Sequence, residues 1–421
     1  MPDIVAFATN AEQIKKIIQC CKEYKIPLVA RGRGTGTTGA TVPVKGGLVL
    51  SLERMNRILR VDPANRYLIA EPGVTNKAIQ EAAHKHGFFW PPDPTSAAFC
   101  SLGGNLAYNS AGPHAVKYGT PRDNTLGLKA VTGNADEIET GVCTTKGVVG
   151  YDLTRLLIGS EGTLAVITEA TLKLTPSPET RKIMQLSYRD INSAAEAVSS
   201  IMAQPVTPSS LELMDQHAIN MIREDADFAL PENATLLMVE VDGTLAAIDD
   251  AVRSIQQAGH NEGLLQAHLA NSAAEEQSLW RIRKALSPAL RKIAPKKINE
   301  DVVVPVSNIP SLLNGLEKLS KEFDIPIVNF GHAGNGNIHV NLLTDPDTAD
   351  DKKRAERCLE KVFDLVLSLN GTLSGEHGIG LVKRDFIARE INPATLQLMR
   401  NIKKQFDPEG IMNPGKMIPG M

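Results

Sequence analysis

Hydrophobic and polar positions repeat along the chain with two different periods, and these periods predict both helices and strands. Apolar residues recur at helical spacing in Ala11–Tyr24, Asn76–His86, Ile191–Ala203, Ala246–Ala258 and Lys352–Asn370. Short apolar or β-branched runs predict strands at Ile26–Arg31, Gly47–Leu52, Tyr67–Glu71, Leu164–Leu174, Ile183–Tyr188, Thr235–Val241, Ile325–Phe330 and Ile338–Leu343. The mixture predicts an α+β protein.

The sequence pattern changes at Thr175–Thr180, a stretch with two prolines that we interpret as a linker. After it, strands alternate with helices, which predicts a sheet with helices on one face. The length of 421 residues fits two or three domains. We predict one domain at 1–175, a second at 176–385, and a C-terminal segment at 386–421 that returns to the first.

Composition excludes several functional classes. The chain has 45 Lys and Arg against 48 Asp and Glu, so it lacks the basic excess typical of nucleic-acid binding. Its apolar runs are too short for a transmembrane segment, and we expect no secretory signal at the N-terminus. The five cysteines form no C-x-x-C pair, which disfavours an iron–sulfur cluster or a cysteine zinc site. They predict free thiols in a reducing cytoplasm.

A glycine-rich loop at residues 34–39 reads Gly-Thr-Gly-Thr-Thr-Gly and follows the predicted strand Ile26–Arg31. This formally matches the dinucleotide-binding fingerprint, which requires the glycines to open a helix. The next residues place Pro43 between two valines and end in two glycines, a combination that disfavours a helix. We therefore predict a loop between strands, either a phosphate-binding loop or a plain glycine-rich turn.

Further clusters of small and polar residues follow at 92–95, 101–105, 109–113 and 159–163. A flat, phosphate-bearing ligand that lies along backbone requires such clusters, because larger side chains block its close approach. The clusters therefore favour ligand binding over isolated turns.

A second pattern combines histidines with glycines at residues 331–339 and 375–378. A hairpin between the two predicted strands would place His332 and His339 roughly opposite each other at its mouth. Glu376 would follow a short strand at residues 372–374. With Glu376 the two histidines offer two imidazoles and a carboxylate, the ligand set of catalytic zinc sites. In extended backbone His377 would point away from Glu376, toward a bound substrate. The alternative is that these are turn histidines bonded to backbone.

Several stretches of the chain resemble the FAD-binding half of the flavin-dependent D-2-hydroxy-acid dehydrogenases, namely IPLVARGRGTGTTG, PPDP, SLGGN, KYGTPRDN and DLTRLLIGSEGTLAVITEATLKL. This family includes D-lactate dehydrogenases, D-2-hydroxyglutarate dehydrogenases and the large subunit of bacterial glycolate oxidase. The resemblance covers nearly the whole chain. It implies a two-subdomain FAD-binding domain of the vanillyl-alcohol oxidase type and a ferredoxin-like α+β substrate domain. Ala165 replaces a frequent glycine, and relatives usually begin earlier, so we expect a short or truncated member.

The resemblance also implies which residues bind the cofactor. The FAD contacts would come from Arg33, Gly34, Thr35, Gly36, Thr37, Pro92, Asp93, Pro94, Ser101, Gly103, Gly104, Asn105, Ser110, Gly162, Thr163, Ile167 and Asn413. Some family members link the flavin covalently through a histidine in the glycine loop. Residues 31–40 contain no histidine, so we predict non-covalent FAD.

The histidine-rich stretches resemble family signatures. GHAGNGNIH and SGEHGIG imply that His332, His339 and Glu376 bind a divalent metal ion, usually zinc, and that His377 is the general base.

The resemblance likewise implies substrate contacts from Arg283, Ser287, Lys297 and Asn337. Arg283, three residues after Trp280, would bind the substrate carboxylate. Relatives often carry a lysine where Asn299 stands, and Lys297 is the nearest substitute. This departure favours D-lactate over D-2-hydroxyglutarate.

The implied activity is oxidation of a D-2-hydroxy acid in the cytoplasm. Electrons would leave to a quinone, a cytochrome or an electron-transfer flavoprotein, and a homodimer is possible. One alternative is a glycolate-oxidase-type catalytic subunit that needs an iron–sulfur partner. Another is a colourless metallohydrolase with two histidines and one glutamate as ligands. Nicotinamide dependence is disfavoured because the glycine loop precedes no helix.

Overall fold

The computed structural model describes residues 1–223, 231–294, 297–344 and 349–420. Its strands are β1 (Ile4–Phe7), β2 (Leu28–Arg31), β3 (Leu48–Ser51), β4 (Ile58–Asp62), β5 (Tyr67–Ala70), β6 (Phe88–Phe89), β7 (Thr125–Thr132), β8 (Glu137–Gly141), β9 (Ala165–Lys173), β10 (Thr175–Pro176), β11 (Thr180–Tyr188), β12 (Ser210–Met214), β13 (Thr235–Gly243), β14 (Leu264–Leu269), β15 (Lys297–Val303), β16 (Ile327–His332) and β17 (Asn337–Leu343).

Its α-helices are α1 (Ala11–Glu23), α2 (Asn76–His84), α3 (Leu102–Tyr108), α4 (Ala115–Tyr118), α5 (Leu153–Leu157), α6 (Ile191–Ala203), α7 (Gln216–Ile222), α8 (Ile248–Ala258), α9 (Ala273–Ile293), α10 (Ile309–Phe323), α11 (Ala349–Ser368), α12 (Ile387–Glu390) and α13 (Pro393–Phe406). Short 3-10 helices lie at Val306–Asn308, Ala333–Asn335 and Arg384–Phe386.

The helices and strands predicted from periodicity are confirmed, with ends shifted by a few residues. Local capping explains where the helices begin. The side chains of Asn10, Thr75 and Asp190 accept hydrogen bonds from backbone N–H groups in the first turns of α1, α2 and α6. Such caps satisfy donors that have no partner inside the helix. None of the described helices combines the length and apolar character that a membrane crossing requires.

The chain divides into two compact units, and unit 1 comprises residues 1–112, 119–177 and 376–421. It contains a parallel sheet ordered β1-β3-β2 and an antiparallel sheet ordered β4-β5-β9-β7-β8. The C-terminal segment lies in this unit, where Met412 bridges to Leu28 and the Asn413 N–H donates to the Leu28 carbonyl at 2.7 Å.

Two apolar cores stabilise unit 1. Helices α2 and α3 pack with the antiparallel sheet around the fully buried Trp90, whose indole N–H donates to the Asn124 carbonyl at 3.0 Å. Helix α1 packs against the parallel sheet through Ile14, Ile18 and Cys21. Both cores hold loops at the ends of their strands in fixed positions, because each buried large apolar side chain contributes about 1.5–3 kcal/mol.

Unit 2 comprises residues 113–118 and 178–375 and is built on an antiparallel sheet ordered β14-β11-β13-β12-β16-β17-β15. Helices α7 and α9 pack on one face, against side chains that include Met214 and Phe330. The opposite face carries Leu186, which contacts the chain at the end of α8. The prediction of helices on one face is therefore wrong. Residues on both faces of β12 are buried, so both faces require cover.

Two local predictions are corrected. The proposed linker Thr175–Thr180 contains β10, which pairs with β6, and its last residue begins β11. Pairing with another segment gives these residues regular structure despite the two prolines. The short strand expected at residues 372–374 forms an isolated bridge between Thr372 and Val303.

Candidate functional site

The glycine loop of unit 1 joins β2 directly to β3, which confirms the predicted strand–loop–strand arrangement. Gly34 and Gly39 adopt φ values of +67° and +79°, a region that other residues rarely occupy. At Gly36 a side chain would approach the Tyr108 hydroxyl to 2.6 Å. The glycines are thus required by backbone conformation and by close packing.

A cleft in unit 1 lies between the end of β2, helix α3 and the start of β9. The predicted cofactor residues that line it are Ser101, Gly103, Gly104, Gly162 and Ile167. The cleft is also lined by residues outside the predicted set of cofactor contacts, namely Ala30, Arg31, Gly32, Ala40, Thr41, Leu52, Pro72, Ala107, Tyr108, Ser160, Glu161, Ala165 and Val166. Small and apolar side chains dominate, so much of the wall is backbone.

Two glycines show that the cleft suits a flat ligand. A Cβ atom added at Gly104 would meet the Ser101 hydroxyl at 3.4 Å, and one at Gly162 would meet Ala30 at 3.8 Å. At Gly32, by contrast, the Ser101 hydroxyl would lie 2.1 Å away. Gly104 and Gly162 therefore border open volume, where a ligand can lie directly against backbone.

Other predicted cofactor residues support the surrounding loops. The Asn105 amide contacts Cys100 and accepts from Asn76, and Asn76 donates to the Pro92 carbonyl at 2.8 Å. The Asp93 N–H donates to the Ala111 carbonyl. These bonds fix the backbone of the loop that contains Pro94.

The remaining predicted residues lie at different positions in unit 1. The Thr163 hydroxyl donates to the Ser160 carbonyl, and the Ser110 N–H donates to the Asn105 carbonyl. Residues 35–37 and Arg33 are exposed in the glycine loop, and Arg33 lies 3.8 Å from the Glu53 carboxylate. Only some of the predicted cofactor residues therefore line the cleft, and the others lie in the surrounding loops.

Glu161 links the cleft to the segment that contains Glu376 and His377. Its carboxylate accepts from the backbone N–H groups of Ile379 and Gly380 at 2.5 and 2.8 Å. Its carbonyl accepts from the Asn413 amide at 2.7 Å. Burial raises the pKa of Glu161, while the two backbone bonds and nearby lysines oppose this effect.

His377 is anchored in unit 1 through its backbone. The Thr38 hydroxyl donates to the His377 carbonyl at 3.1 Å. The next residue, Gly378, has a φ of +78°, and a side chain there would lie 2.6 Å from both Glu161 and Tyr108. The preceding carboxylate, Glu376, accepts from the Gly112 N–H at 2.9 Å. The residues on either side of His377, Glu376 and Gly378, are therefore both held in place by contacts within unit 1.

The other predicted histidines lie in unit 2, on the hairpin of β16 and β17. The register pairs His332 with Asn337 and Phe330 with His339. The two histidines are thus diagonal neighbours on one face of the hairpin, close to the roughly opposite placement that the sequence predicts. Their rings meet edge to face with centroids 5.3 Å apart. Gly336 supplies the turn with a φ of +74°.

A buried glutamate adjoins this pair. Glu212 on β12 lies opposite His332, and its two oxygens contact the His332 Nδ1 at 2.6 Å and the Arg283 Nε at 2.7 Å. Burial alone would raise the pKa of Glu212, but the charges of His332 and Arg283 outweigh it and lower the pKa to about 2. The Arg283 guanidinium also lies 4.9 Å from the Phe330 ring centre.

Strand β15 adds a carboxylate to the sheet face that carries Glu212, His332 and His339. We call this face the polar face of unit 2. Asp301 lies opposite His339 and accepts from the Ser374 hydroxyl and the Gly375 N–H at 3.2 and 2.8 Å. A Cβ atom at Gly375 would meet the Asn337 amide at 2.6 Å. The chain immediately before Glu376 is therefore fixed beside the hairpin.

The last two predicted substrate residues also belong to unit 2. The Lys297 ammonium donates to the Asn341 amide oxygen at 2.8 Å. Ser287 is half-buried on α9, one turn after Arg283. Glu212 was missed from the sequence, although an acidic residue inside the apolar run Ser210–Met214 was an available signal.

If the cleft holds the FAD that the resemblance implies, filling it should weaken flavin binding. We expect Gly104→Val to lower FAD affinity by tenfold or more, about 1.4 kcal/mol, because the new side chain would occupy the open volume. Gly243→Val is the matched control, since a Cβ there meets nothing within 4 Å and its φ is ordinary. FAD titration of the apoprotein, followed by tryptophan fluorescence, measures the effect. Equal FAD affinity in both variants would place the flavin elsewhere.

Comparison with known proteins identifies two matching family models. The FAD binding domain matches residues 2–141, and the FAD linked oxidases C-terminal domain matches residues 177–417. The glycolate oxidase subunit GlcD of Bacillus subtilis (strain 168) is 38% identical over 418 residues, covering 99% of this chain and 89% of that protein. The mitochondrial D-lactate dehydrogenase [cytochrome] of Arabidopsis thaliana is 35% identical over 421 residues, covering 100% and 74%.

The fold has solved counterparts among the vanillyl-alcohol oxidase-type flavoproteins, which confirms the predicted fold class. A crystal structure of p-cresol methylhydroxylase with substrate bound superposes with a TM-score of 0.80 at 18% identity, covering 98% of this chain and 88% of that one. The metallohydrolase hypothesis is wrong, since the matching families are FAD-dependent. The chain belongs to the FAD-linked oxidase family that includes the flavin-dependent D-2-hydroxy-acid dehydrogenases, and it is an FAD-binding oxidoreductase.

Proposed function

We propose that the chain oxidises a D-2-hydroxy acid to the 2-oxo acid with FAD and a divalent metal ion. D-lactate is the favoured substrate, and D-2-hydroxyglutarate is the next. The observation that carries this proposal is the polar face of unit 2, where His332 and His339 adjoin each other and Arg283 reaches the same cluster through Glu212. This face combines two imidazoles, which suit a divalent metal ion, with a guanidinium, which suits a carboxylate.

The residues fit a divalent ion, for which we propose His332, His339 and Glu376 as ligands and zinc as the metal. Two imidazoles and one carboxylate leave a coordination position for substrate. The Nδ1 atom of His332 is bonded to Glu212, so its Nε2 atom is directed elsewhere and can act as a ligand. A bound cation would lower the pKa of a coordinated α-hydroxyl by stabilising negative charge on it.

Arg283 supports recognition of the substrate carboxylate. A guanidinium has five N–H donors, and the bond to Glu212 uses the one on Nε. The terminal nitrogens can then bind a carboxylate in the bidentate geometry that arginine favours. Ser287 and Asn337 are proposed as further contacts. Lys297 is proposed for a second carboxylate, but its existing bond to Asn341 supports the shorter acid.

His377 is proposed as the general base. The neutral imidazole has one ring nitrogen with a lone pair, which can accept the proton of the substrate hydroxyl. FAD, when bound, accepts the hydride equivalent from the substrate carbon. The anchored carbonyl of His377 and the packed Gly378 restrict where the imidazole can point. We propose that FAD is bound non-covalently, because the residues that line the cleft include no histidine or cysteine.

A second candidate function is the catalytic subunit of a glycolate-oxidase-type complex. The 38% identity to GlcD across nearly the whole chain favours it. The five cysteines form no C-x-x-C pair, so an iron–sulfur cluster would belong to a partner protein. Co-purification with a cysteine-rich protein would support this function. In either case we propose a cytoplasmic enzyme, with a quinone, a cytochrome or an electron-transfer flavoprotein as external acceptor.

An anaerobic substrate panel tests the proposed function. We expect D-lactate to bleach the yellow flavin absorbance of the zinc-loaded protein, D-2-hydroxyglutarate to do so more slowly, and L-lactate to have no effect. Treatment with a chelator should abolish the bleaching, and added zinc should restore it. A yellow, zinc-loaded protein that no D-2-hydroxy acid bleaches would contradict the proposal, and bleaching by glycolate alone would favour the second candidate.

A further inference from the structure

Glu212 occupies the middle of the sheet in unit 2, on β12 between β13 and β16. Its side chain is 1% exposed, and each carboxylate oxygen has a different partner. We infer that Glu212 is a positioning residue that holds the proposed metal ligand His332 and the proposed substrate ligand Arg283 in one fixed arrangement. The inference rests on the proposed function and assigns a role to a residue outside its metal and substrate ligands.

The contact with His332 determines which ring nitrogen is available. The Nδ1 atom of His332 lies 2.6 Å from the Glu212 carboxylate, a group that accepts hydrogen bonds, so we assign the ring proton to Nδ1. The Nε2 atom then keeps its lone pair and can bind a cation. Carboxylates that accept from the second nitrogen of a metal-binding histidine fix both its tautomer and its orientation. The pairing of the strands also keeps the two residues together, because Glu212 on β12 lies directly opposite His332 on β16.

The contact with Arg283 limits the rotation of its guanidinium. Glu212 accepts from Nε, and the Arg283 Cζ atom lies over the Phe330 ring, 4.9 Å from its centre. Phe330 lies opposite His339 in the hairpin, with ring centres 5.7 Å apart. The arginine is thus held on two sides by residues that also adjoin the histidine pair. A preorganised arginine loses less side-chain entropy when it binds a carboxylate.

A purely structural role for Glu212 makes a different prediction. A buried ion pair often contributes little to folding compared with apolar packing of the same volume. If Glu212 served only the fold, its removal would change stability but not the zinc affinity of the protein that remains folded. Glu240 on β13 offers the comparison, because it is buried on the same face and accepts from His114, Ser209 and Trp280.

The experiment compares zinc binding by Glu212→Gln and Glu240→Gln. A glutamine side chain can accept from one of the two donors but not from both, since its amide nitrogen is itself a donor. Each chelator-treated flavoprotein, with FAD bound and no substrate, is titrated with zinc by calorimetry. We expect Glu212→Gln to raise the zinc Kd by about 10- to 100-fold and Glu240→Gln to leave it unchanged.

Steady-state kinetics supply a second measurement. The KM for D-lactate should rise in Glu212→Gln because Arg283 is no longer held. Arg283→Lys should raise KM as well, and the double variant should show less than the product of the two single effects, since one interaction is lost in both. Multiplicative effects would mean that the two residues act independently and would overturn the coupling of Glu212 to Arg283.

The outcomes separate this inference from the proposed function. If the wild-type flavoprotein binds zinc and is bleached by D-lactate while Glu212→Gln has an unchanged zinc Kd, the role of Glu212 is overturned and the proposed function stands. If the wild type binds no zinc, both are overturned. If Glu212→Gln fails to retain FAD or to fold, the zinc Kd of Glu212→Asp is measured instead. This variant keeps the charge but is too short to reach both partners, so its zinc Kd should also rise. An unchanged Kd would overturn the inference.

Discussion

Replacing His377 by alanine should greatly slow reduction of the flavin by D-lactate while FAD stays bound. General base catalysis typically accelerates a reaction by about 100- to 10,000-fold. We expect the rate constant of flavin reduction to decrease by a factor in this range. The fold should tolerate the change, because Thr38 bonds the backbone carbonyl of His377 and Gly378 packs against Glu161. Neither contact uses the imidazole ring. Stopped-flow absorbance under anaerobic conditions measures the rate.

His86→Ala is the matched control for this variant. His86 is exposed just beyond α2 in unit 1, so its removal should change neither the FAD content nor the reduction rate. The FAD content of each protein is measured first, from the absorbance of the cofactor released by denaturation. Normal flavin reduction in the His377→Ala protein would remove His377 from the mechanism. Loss of FAD from this variant alone would instead assign the residue to cofactor binding.

Local features of the fold could be predicted from the sequence, because they depend on neighbouring residues. The spacing of Ile14 and Ile18 defines the buried face of α1, and Pro43 with its flanking valines disfavours a helix after the glycine loop. The same holds for the hairpin that carries His332 and His339. Its two strands and its turn lie within one short segment.

Features that depend on distant pairing could not be predicted. Glu212 contacts His332 across 120 residues of sequence, and this contact follows from the pairing of β12 with β16. The diagonal placement of the two histidines depends on the register of a hairpin, where a shift of one residue reverses every side chain. The cleft likewise combines Arg31, Tyr108 and Glu161, which come from three separated segments.

Replacing His339 by asparagine should remove zinc binding and, with it, reduction of the flavin by D-lactate. The substitution takes away one of two adjacent imidazoles and leaves a side chain too short to reach the same position. A cation in such a site stabilises developing negative charge by several kcal/mol. A loss of about 2.7 kcal/mol corresponds to a rate about 100-fold lower, and we expect at least this effect.

The rest of unit 2 should remain intact in this variant. The backbone carbonyl of His339 accepts from the Asn341 amide at 3.2 Å, and this bond, like the ladder to β15 and β16, does not involve the imidazole. The matched control is His260→Asn, an exposed position just after α8 in the same unit. Zinc content after dialysis, measured by mass spectrometry, should fall to background in His339→Asn and stay at the wild-type level in His260→Asn.

Metal removal from the wild type provides an independent check on the same site. The chelator-treated wild type should match His339→Asn in flavin reduction, and added zinc should restore the wild type but not the variant. Zinc content equal to the wild type in His339→Asn would show that the ion binds elsewhere. If the variant loses zinc but keeps full reduction by D-lactate, the ion has no part in the chemistry. The substrate hydroxyl would then have to be activated by His377 alone.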